Sequence, residues 1–225
     1  GSIPQPHRAV VVVARQTVDT FKFSPTDSRF SKRKQTMESF GHRVLLYGCG
    51  GGFDIFNAFF LYRELKRRGH EVHLANYSFT DDLYRYTAND AMVVAIRGDE
   101  ARTNKNASYF PEADLARHTG QPVYAVRLHG PQRLVPELQA LCDRLAIDTL
   151  VLVDGGHDGV IFGDETEWGS PLEDTCSVIV ATQLQVPSKF LVCISAPTEQ
   201  MDWKSFAERT DTLCTHWVPT EDIDE

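Results

Sequence analysis

The chain has 225 residues, of which 42% are hydrophobic and 24% charged, proportions that exclude a disordered or fibrous protein. Its five cysteines include no C-x-x-C pair, which excludes the usual structural zinc spacing and predicts reduced thiols in an intracellular compartment, the cytoplasm first. No apolar stretch approaches the roughly 18 residues of a membrane helix. We therefore expect a soluble protein that does not bind membranes.

Charge is unevenly distributed along the chain. Residues 1–36 carry seven basic and two acidic side chains, and the remainder carries 16 basic and 29 acidic ones. We interpret 1–36 as a basic N-terminal extension that starts with a tag remnant and holds either an edge strand at 9–14 or an organelle-targeting segment. Residues 37–218 are expected to form a single α/β domain, and 219–225 an acidic tail. The acidic body argues against a nucleic-acid partner, because Lys and Arg supply most affinity for phosphates.

The first predicted unit is a strand, a glycine turn, a helix and a second strand. The strand covers 43–47 and ends in a Gly-Cys-Gly-Gly-Gly run. In the helix, Ala58, Leu61, Tyr62 and Leu65 recur at i, i+3, i+4 and i+7, and Gly69 suits its left-handed cap. A second strand follows at 71–75. Together these about 35 residues have the size of a βαβ unit.

The rest of the chain continues the alternation. Further strands are predicted at 91–96, 123–128, 149–153 and 189–195, and helices at 113–118, from Pro136, from Pro171 to about 184, and at 203–208. The continuous apolar run at 149–153 is typical of a central strand covered on both faces. Because crossovers are right-handed, this alternation predicts an α/β fold with a doubly wound, mainly parallel sheet, a Rossmann-like three-layer sandwich.

Ligands of such sheets bind beyond the carboxyl ends of the strands, where the strand order reverses. We expect the strands before Gly48 and Asp154 to flank this reversal, so that the two following loops line one crevice. Glycines let main-chain N–H groups approach a ligand at a helix N-terminus. The predicted ligand-binding residues of the first loop are therefore Gly50, Gly51, Gly52 and Asp54.

The first loop matches the dinucleotide fingerprint incompletely. Phe53 replaces its third glycine, and Asn76 stands where a ribose-binding acid is expected, so ordinary NAD or FAD binding is disfavoured. A purely structural role of the glycines, in tight strand-to-helix packing, stays open. Cys49 lies where an elbow would project a nucleophile, but we interpret it as a packed, inert side chain.

The second loop concentrates ionisable groups. Five of them fall within twelve positions, and we take them as candidate catalytic residues: Asp154, His157, Asp158, Asp164 and Glu165. Such a group can supply a general acid and base, orient a polyhydroxyl or amine substrate, or hold a divalent metal through Asp154, Asp158, Asp164 and Glu165. Good turn sequences are the structural alternative. Trp168 and Ser170, which follow directly, are predicted to contact the ligand by ring stacking and at a helix start.

Several of these motifs resemble one family over roughly residues 40–195. They are Gly50-Gly51-Gly52-Phe53-Asp54, Tyr109-Phe110-Pro111-Glu112, Val153-Asp154-Gly155-Gly156-His157-Asp158, Gly163-Asp164-Glu165 and Gly169-Ser170-Pro171-Leu172-Glu173-Asp174. In these motifs the chain resembles the family catalogued as domain of unknown function 1152. The resemblance implies a Rossmann-like fold and a shared glycine and carboxylate site, and it names no substrate. The segment after Ser195 is short and unlike the family pattern, as expected of a shortened member.

Two functions are compatible with these patterns. The first is an enzyme that acts on a small polar metabolite or a nucleotide-like ligand through the glycine loop and the Asp/His/Glu loop. The second is a non-catalytic ligand-binding or regulatory module. The expected partner is a small molecule, and a homo-oligomer is compatible with the sequence. The cofactor is unknown, with a nucleotide and a divalent metal as the two classes left open.

Overall fold

The computed structural model describes residues 40–80, 83, 90–98, 109–156 and 171–195, and the backbone of two further strands. The strands are β1 (Ala9–Gln16), β2 (Arg43–Gly48), β3 (Glu71–Ser78), β4 (Val93–Ile96), β5 (Val123–Arg127), β6 (Thr149–Asp154), β7 (Ser188–Ser195) and β8 (Cys214–Val218). The helices are α1 (Asp54–Arg67), α2 (Pro111–Thr119), α3 (Pro131–Arg144) and α4 (Pro171–Gln183).

The sheet has the order β4-β5-β3-β2-β6-β7-β1-β8. Its centre, β5-β3-β2-β6-β7, is parallel throughout. If these five strands are renumbered 1 to 5 in the order in which they occur along the chain, their order across the sheet is 3-2-1-4-5. The strand order therefore reverses between β2 and β6, as in a doubly wound sheet. The predicted α/β fold with a mainly parallel sheet is confirmed.

The outer strands are antiparallel. β4 pairs with β5 in this direction, and β1 pairs with both β7 and β8. The strand expected at 9–14 is therefore present as β1, but it lies between two neighbours and not at the sheet edge. β8 was not predicted. The predicted helix at 203–208 lies outside the described residues.

Side chains of β2 alternate between the two helical layers. Val44 and Leu46 pack in the cluster of α1 and α2, whereas Leu45 and Tyr47 pack in the cluster of α3 and α4. All six residues of β6 are buried, as expected of a strand covered on both faces. The resulting three layers leave the carboxyl ends of β2 and β6 side by side.

Helix boundaries agree with the sequence except in α3. α1 buries the predicted apolar face, and Gly69 follows it with φ +87°. α3 begins at Pro131, so the prediction that Pro136 begins this helix is wrong. Proline suits the first position, which needs no N–H donor. Leu134 is buried one turn before Leu138 and extends the apolar face toward the N-terminus, while Pro136 lies on the exposed face.

In the described part of the chain, no helix combines the length and apolar character needed to cross a bilayer.

Candidate active site at the strand-order reversal

The two predicted loops leave the sheet next to each other. Gly48 at the end of β2 is paired with Val153 of β6. The Cys49 N–H then donates to the Val153 carbonyl at 3.0 Å, which continues the contact past the strand end. The strands before Gly48 and Asp154 therefore flank the reversal, as predicted.

A single carboxylate joins the two loops. Asp54, the first residue of α1, accepts the Gly50 N–H on Oδ2 at 2.7 Å and the Gly155 N–H on Oδ1 at 3.1 Å. Hydrogen bonds to an ionised acceptor are stronger than neutral ones. A ligand anion can reach these two amides only by displacing Asp54, so the site differs from a phosphate-binding glycine loop.

Two more carboxylates lie around the same turn. Asp154 accepts the Gly156 N–H at 2.7 Å, and Asp174 in the first turn of α4 accepts the Cys49 thiol at 3.2 Å. A Cβ placed on Gly50 would come within 2.5 Å of Asp174 Oδ2 and 2.8 Å of Asp54 Oδ2. Gly50 thus allows Asp54 and Asp174 to approach from two helices on opposite faces of the sheet.

The three carboxylates raise the pKa of two neighbouring thiols. Cys49 and Cys193 are completely or almost completely buried. Burial raises the pKa of both thiols, and the negative charges of Asp54, Asp154 and Asp174 raise it further. Both cysteines therefore keep their protons at neutral pH and act as donors, Cys49 to Asp174 and Cys193 to Asp154 at 3.6 Å. Cys49 is therefore packed, as expected, and its inertness stays a prediction.

Among the described residues, one group has the spacing of metal ligands. Ligand atoms of Cys49, Asp54 and Asp174 lie within 4.8 Å of one another. Carboxylate oxygens suit hard divalent cations, but a thiol must lose its proton to bind a metal. Because the surroundings hold that proton on Cys49, the carboxylates of Asp54 and Asp174 are better ligands for a hard cation than the thiol is.

A further buried acid, Glu112, supports the glycine loop from the β3 side. Glu112 in α2 has no exposed surface, and its Oε1 accepts the Asn76 amide at 2.8 Å. The same Asn76 amide donates to the Gly52 carbonyl at 3.1 Å. Burial raises the pKa of Glu112, and hydrogen bonds from Asn76, Ser78 and Thr80 oppose that rise. α2 and the glycine loop are therefore connected through one amide.

The raised pKa of Glu112 predicts a pH-dependent contribution to stability. The folded protein holds the Glu112 proton more tightly than the unfolded chain, so the contribution is complete below about pH 4.3 and is lost as pH rises through the folded pKa. We therefore expect the Glu112→Gln variant to become more stable relative to the original chain as pH rises from 4.5 to 8. Urea titrations across this range measure the difference, and a constant difference would show that Glu112 titrates normally.

Of the predicted site residues, the structure brings together the glycine loop and two acids. Gly50, Gly51, Gly52, Asp54 and Asp154 lie together at the carboxyl ends of β2 and β6. The remaining candidates lie outside the described residues and stay predictions: His157, Asp158, Asp164, Glu165, Trp168 and Ser170. The same holds for three of the four proposed metal ligands, Asp154 being the exception.

Sequence reasoning missed two inward-facing acids. Asp174 enters the sequence argument only as the last residue of a family motif, but it shares the buried face of α4 with Ser177 and Ala181. This spacing of three and four residues was a usable signal. Glu112 likewise shares a helix face with Leu115 and Ala116, both buried.

These features define a doubly wound α/β protein with three carboxylates close to its topological switch point. The sequence profile of the family described as protein of unknown function (DUF1152) matches residues 45–197, from β2 to just past β7. The chain belongs to this family. Comparison with curated proteins and with solved structures gives no match.

Proposed function

We propose that this protein is an enzyme that acts on a small polar metabolite bearing a positive charge, bound in the crevice between the β2 and β6 loops. The observation that carries the proposal is the convergence of Asp54, Asp154 and Asp174 at the strand-order reversal, where doubly wound folds bind their ligands. Three acidic groups in one crevice attract cations and disfavour anions.

The main-chain amides support a non-phosphate ligand. In a phosphate-binding loop, free N–H groups face the anion. Here the Gly50 and Gly155 N–H groups both donate to Asp54. We therefore favour an amine over the nucleotide-like ligand that the glycines alone allow.

The chemistry proposed for the site is general acid and base catalysis. A carboxylate beside a bound ammonium or hydroxyl group can accept its proton and return it later in the reaction. Asp54 suits this role best among the described acids, because Asp154 and Asp174 are almost completely buried whereas Asp54 is partly accessible. His157 and Asp158, which follow Gly156 in the sequence, are the proposed partners.

Ligand panels test the proposed class. We expect ethanolamine, glucosamine and putrescine to raise the melting temperature more than AMP or ADP at equal concentration. Asp54→Asn should weaken the amine response at least fivefold, while Asp143→Asn, which replaces an exposed acid of α3, should leave it unchanged. Stabilisation by the nucleotides alone, insensitive to Asp54→Asn, would contradict the proposal.

A non-catalytic binding module is the second candidate. It is favoured by the engagement of Asp154 and Asp174 in structural hydrogen bonds to Gly156 and Cys49. Time-resolved NMR of the best-binding amine separates the two. An enzyme converts the amine and loses turnover in His157→Ala with its fold intact, whereas a binding module leaves the amine unchanged.

A further inference from the structure

Three aromatic side chains surround the Gly51–Gly52 dipeptide. A Cβ on Gly51 would lie 2.6 Å from Cε2 of Phe79, and one on Gly52 would lie 2.9 Å from the Tyr109 hydroxyl oxygen. Phe53 completes the group, with its ring centroid 5.2 Å from that of Tyr109 and the two planes at 86°. We call Phe53, Phe79 and Tyr109 the aromatic corner.

The aromatic corner is open to solvent. Phe53 is 61% exposed and Phe79 40% exposed, although each buried phenylalanine contributes about 1.5–3 kcal/mol to folding. Clustered exposed apolar groups beside a crevice are typical of ligand sites. Perpendicular rings also form two walls of the kind that enclose organic cations.

Negative charge lies next to these rings. Burial raises the pKa of Tyr109, and the charges of Glu112 and Asp54 raise it further. The Tyr109 hydroxyl lies 2.9 Å from the position of a Cβ on Gly52, and Asp54 Oδ2 lies 2.8 Å from that of a Cβ on Gly50, so the ring and the carboxylate that joins the two loops flank the same glycine loop. A carboxylate and aromatic ring faces both attract a cation, and the rings can also bury an apolar substituent. Their proximity therefore favours a ligand that has both a cationic group and an apolar body.

We infer that the aromatic corner is a subsite for the organic part of a substituted ammonium ligand, whose charged nitrogen faces Asp54. This inference rests on the proposed function and adds to it the class of substituent that the ligand carries. Phe53 and Phe79 then determine specificity, because they contact the ligand's apolar body and not its charge. A small amine without a ring should bind less tightly than one with a ring.

Benzylamine, with its uncharged analogue benzyl alcohol and the ringless methylamine, tests the subsite. We expect benzylamine to shift the amide NMR signals of Gly51 and Gly52 in a saturable titration, with the other two probes binding at least threefold more weakly. Phe53→Leu and Phe79→Leu should each weaken benzylamine binding about three- to tenfold. Phe60→Leu is the matched control, because Phe60 is 49% exposed on α1, the helix that Phe53 immediately precedes, and follows Gly52 by eight residues.

The outcomes separate this inference from the proposed function. If Asp54→Asn abolishes benzylamine binding but Phe53→Leu, Phe79→Leu and Tyr109→Leu all bind like the Phe60→Leu control, the acidic site stands and the aromatic subsite is overturned. If benzyl alcohol binds as tightly as benzylamine and Asp54→Asn changes neither, the cation preference fails, and both proposals fail with it. Absence of any saturable shift at Gly51 and Gly52 also overturns the inference. Unchanged melting temperatures of the leucine variants establish that they fold.

Discussion

Replacing Gly51 with alanine is expected to lower the free energy of unfolding by about 2–4 kcal/mol, against about 1 kcal/mol for Gly69→Ala. Both glycines have left-handed backbones, with φ +84° and +87°. A Cβ on Gly51 would lie 2.6 Å from both the Tyr77 carbonyl oxygen and the Phe79 ring, whereas no atom of the described residues lies within 4 Å of one on Gly69. The pair therefore separates backbone strain from steric overlap.

Urea unfolding followed by far-UV circular dichroism measures both losses. The extra cost at Gly51 should also lower its melting temperature by several degrees relative to Gly69→Ala, since 1 kcal/mol corresponds to roughly 2–4 °C in a domain of this size. Equal losses in the two variants would show that the loop moves away from Tyr77 without cost, and that Gly51 is required only for its backbone angle.

Asp54→Ala is expected to cost about 2–4 kcal/mol. The carboxylate accepts two main-chain hydrogen bonds, from Gly50 and Gly155, and hydrogen bonds to charged groups contribute about 1.5–3 kcal/mol each. Relief of repulsion from Asp154 and Asp174 offsets part of this loss. The matched Asp143→Ala, at an exposed position of α3, should change stability by no more than about 0.5 kcal/mol.

Hydrogen exchange locates the effect of Asp54→Ala in the two loops. The Gly50 and Gly155 amides should lose protection in this variant, because Asp54 is the acceptor of both. Amides in the centre of β6 should lose only the protection that the decrease in the global free energy of unfolding accounts for. If Gly50 and Gly155 exchange as slowly as before relative to β6, the carboxylate does not hold the loops together.

The central elements could be predicted because their signals are local. α1 shows its buried face as a period of three and four residues, and β6 shows its burial as an uninterrupted apolar run. The glycines after β2 and the acid at the end of β6 are likewise visible in the sequence. Knowing that parallel sheets place their sites at the strand-order reversal was then enough to predict that the two loops meet.

The outer strands and the inner acids could not be predicted in the same way. A short apolar run does not show the direction of its partner strand, so the direction of β4 and the place of β1 between β7 and β8 depend on pairing between distant segments. Asp174 and Glu112 look like helix-start acids until the sheet and its neighbours bury them.

The amino-acid sequence by itself thus determined the α/β class, the position of the glycine loop and the family, because hydrophobic periodicity and short motifs are properties of neighbouring residues. Only the tertiary structure decided that Asp54 accepts hydrogen bonds from the amides of both loops and that Asp174 reaches Cys49 from the opposite helical layer. It also decided that three aromatic rings lie beside the glycine loop. These contacts join residues as far as 125 positions apart, and they exist only once the sheet has brought its strand ends together.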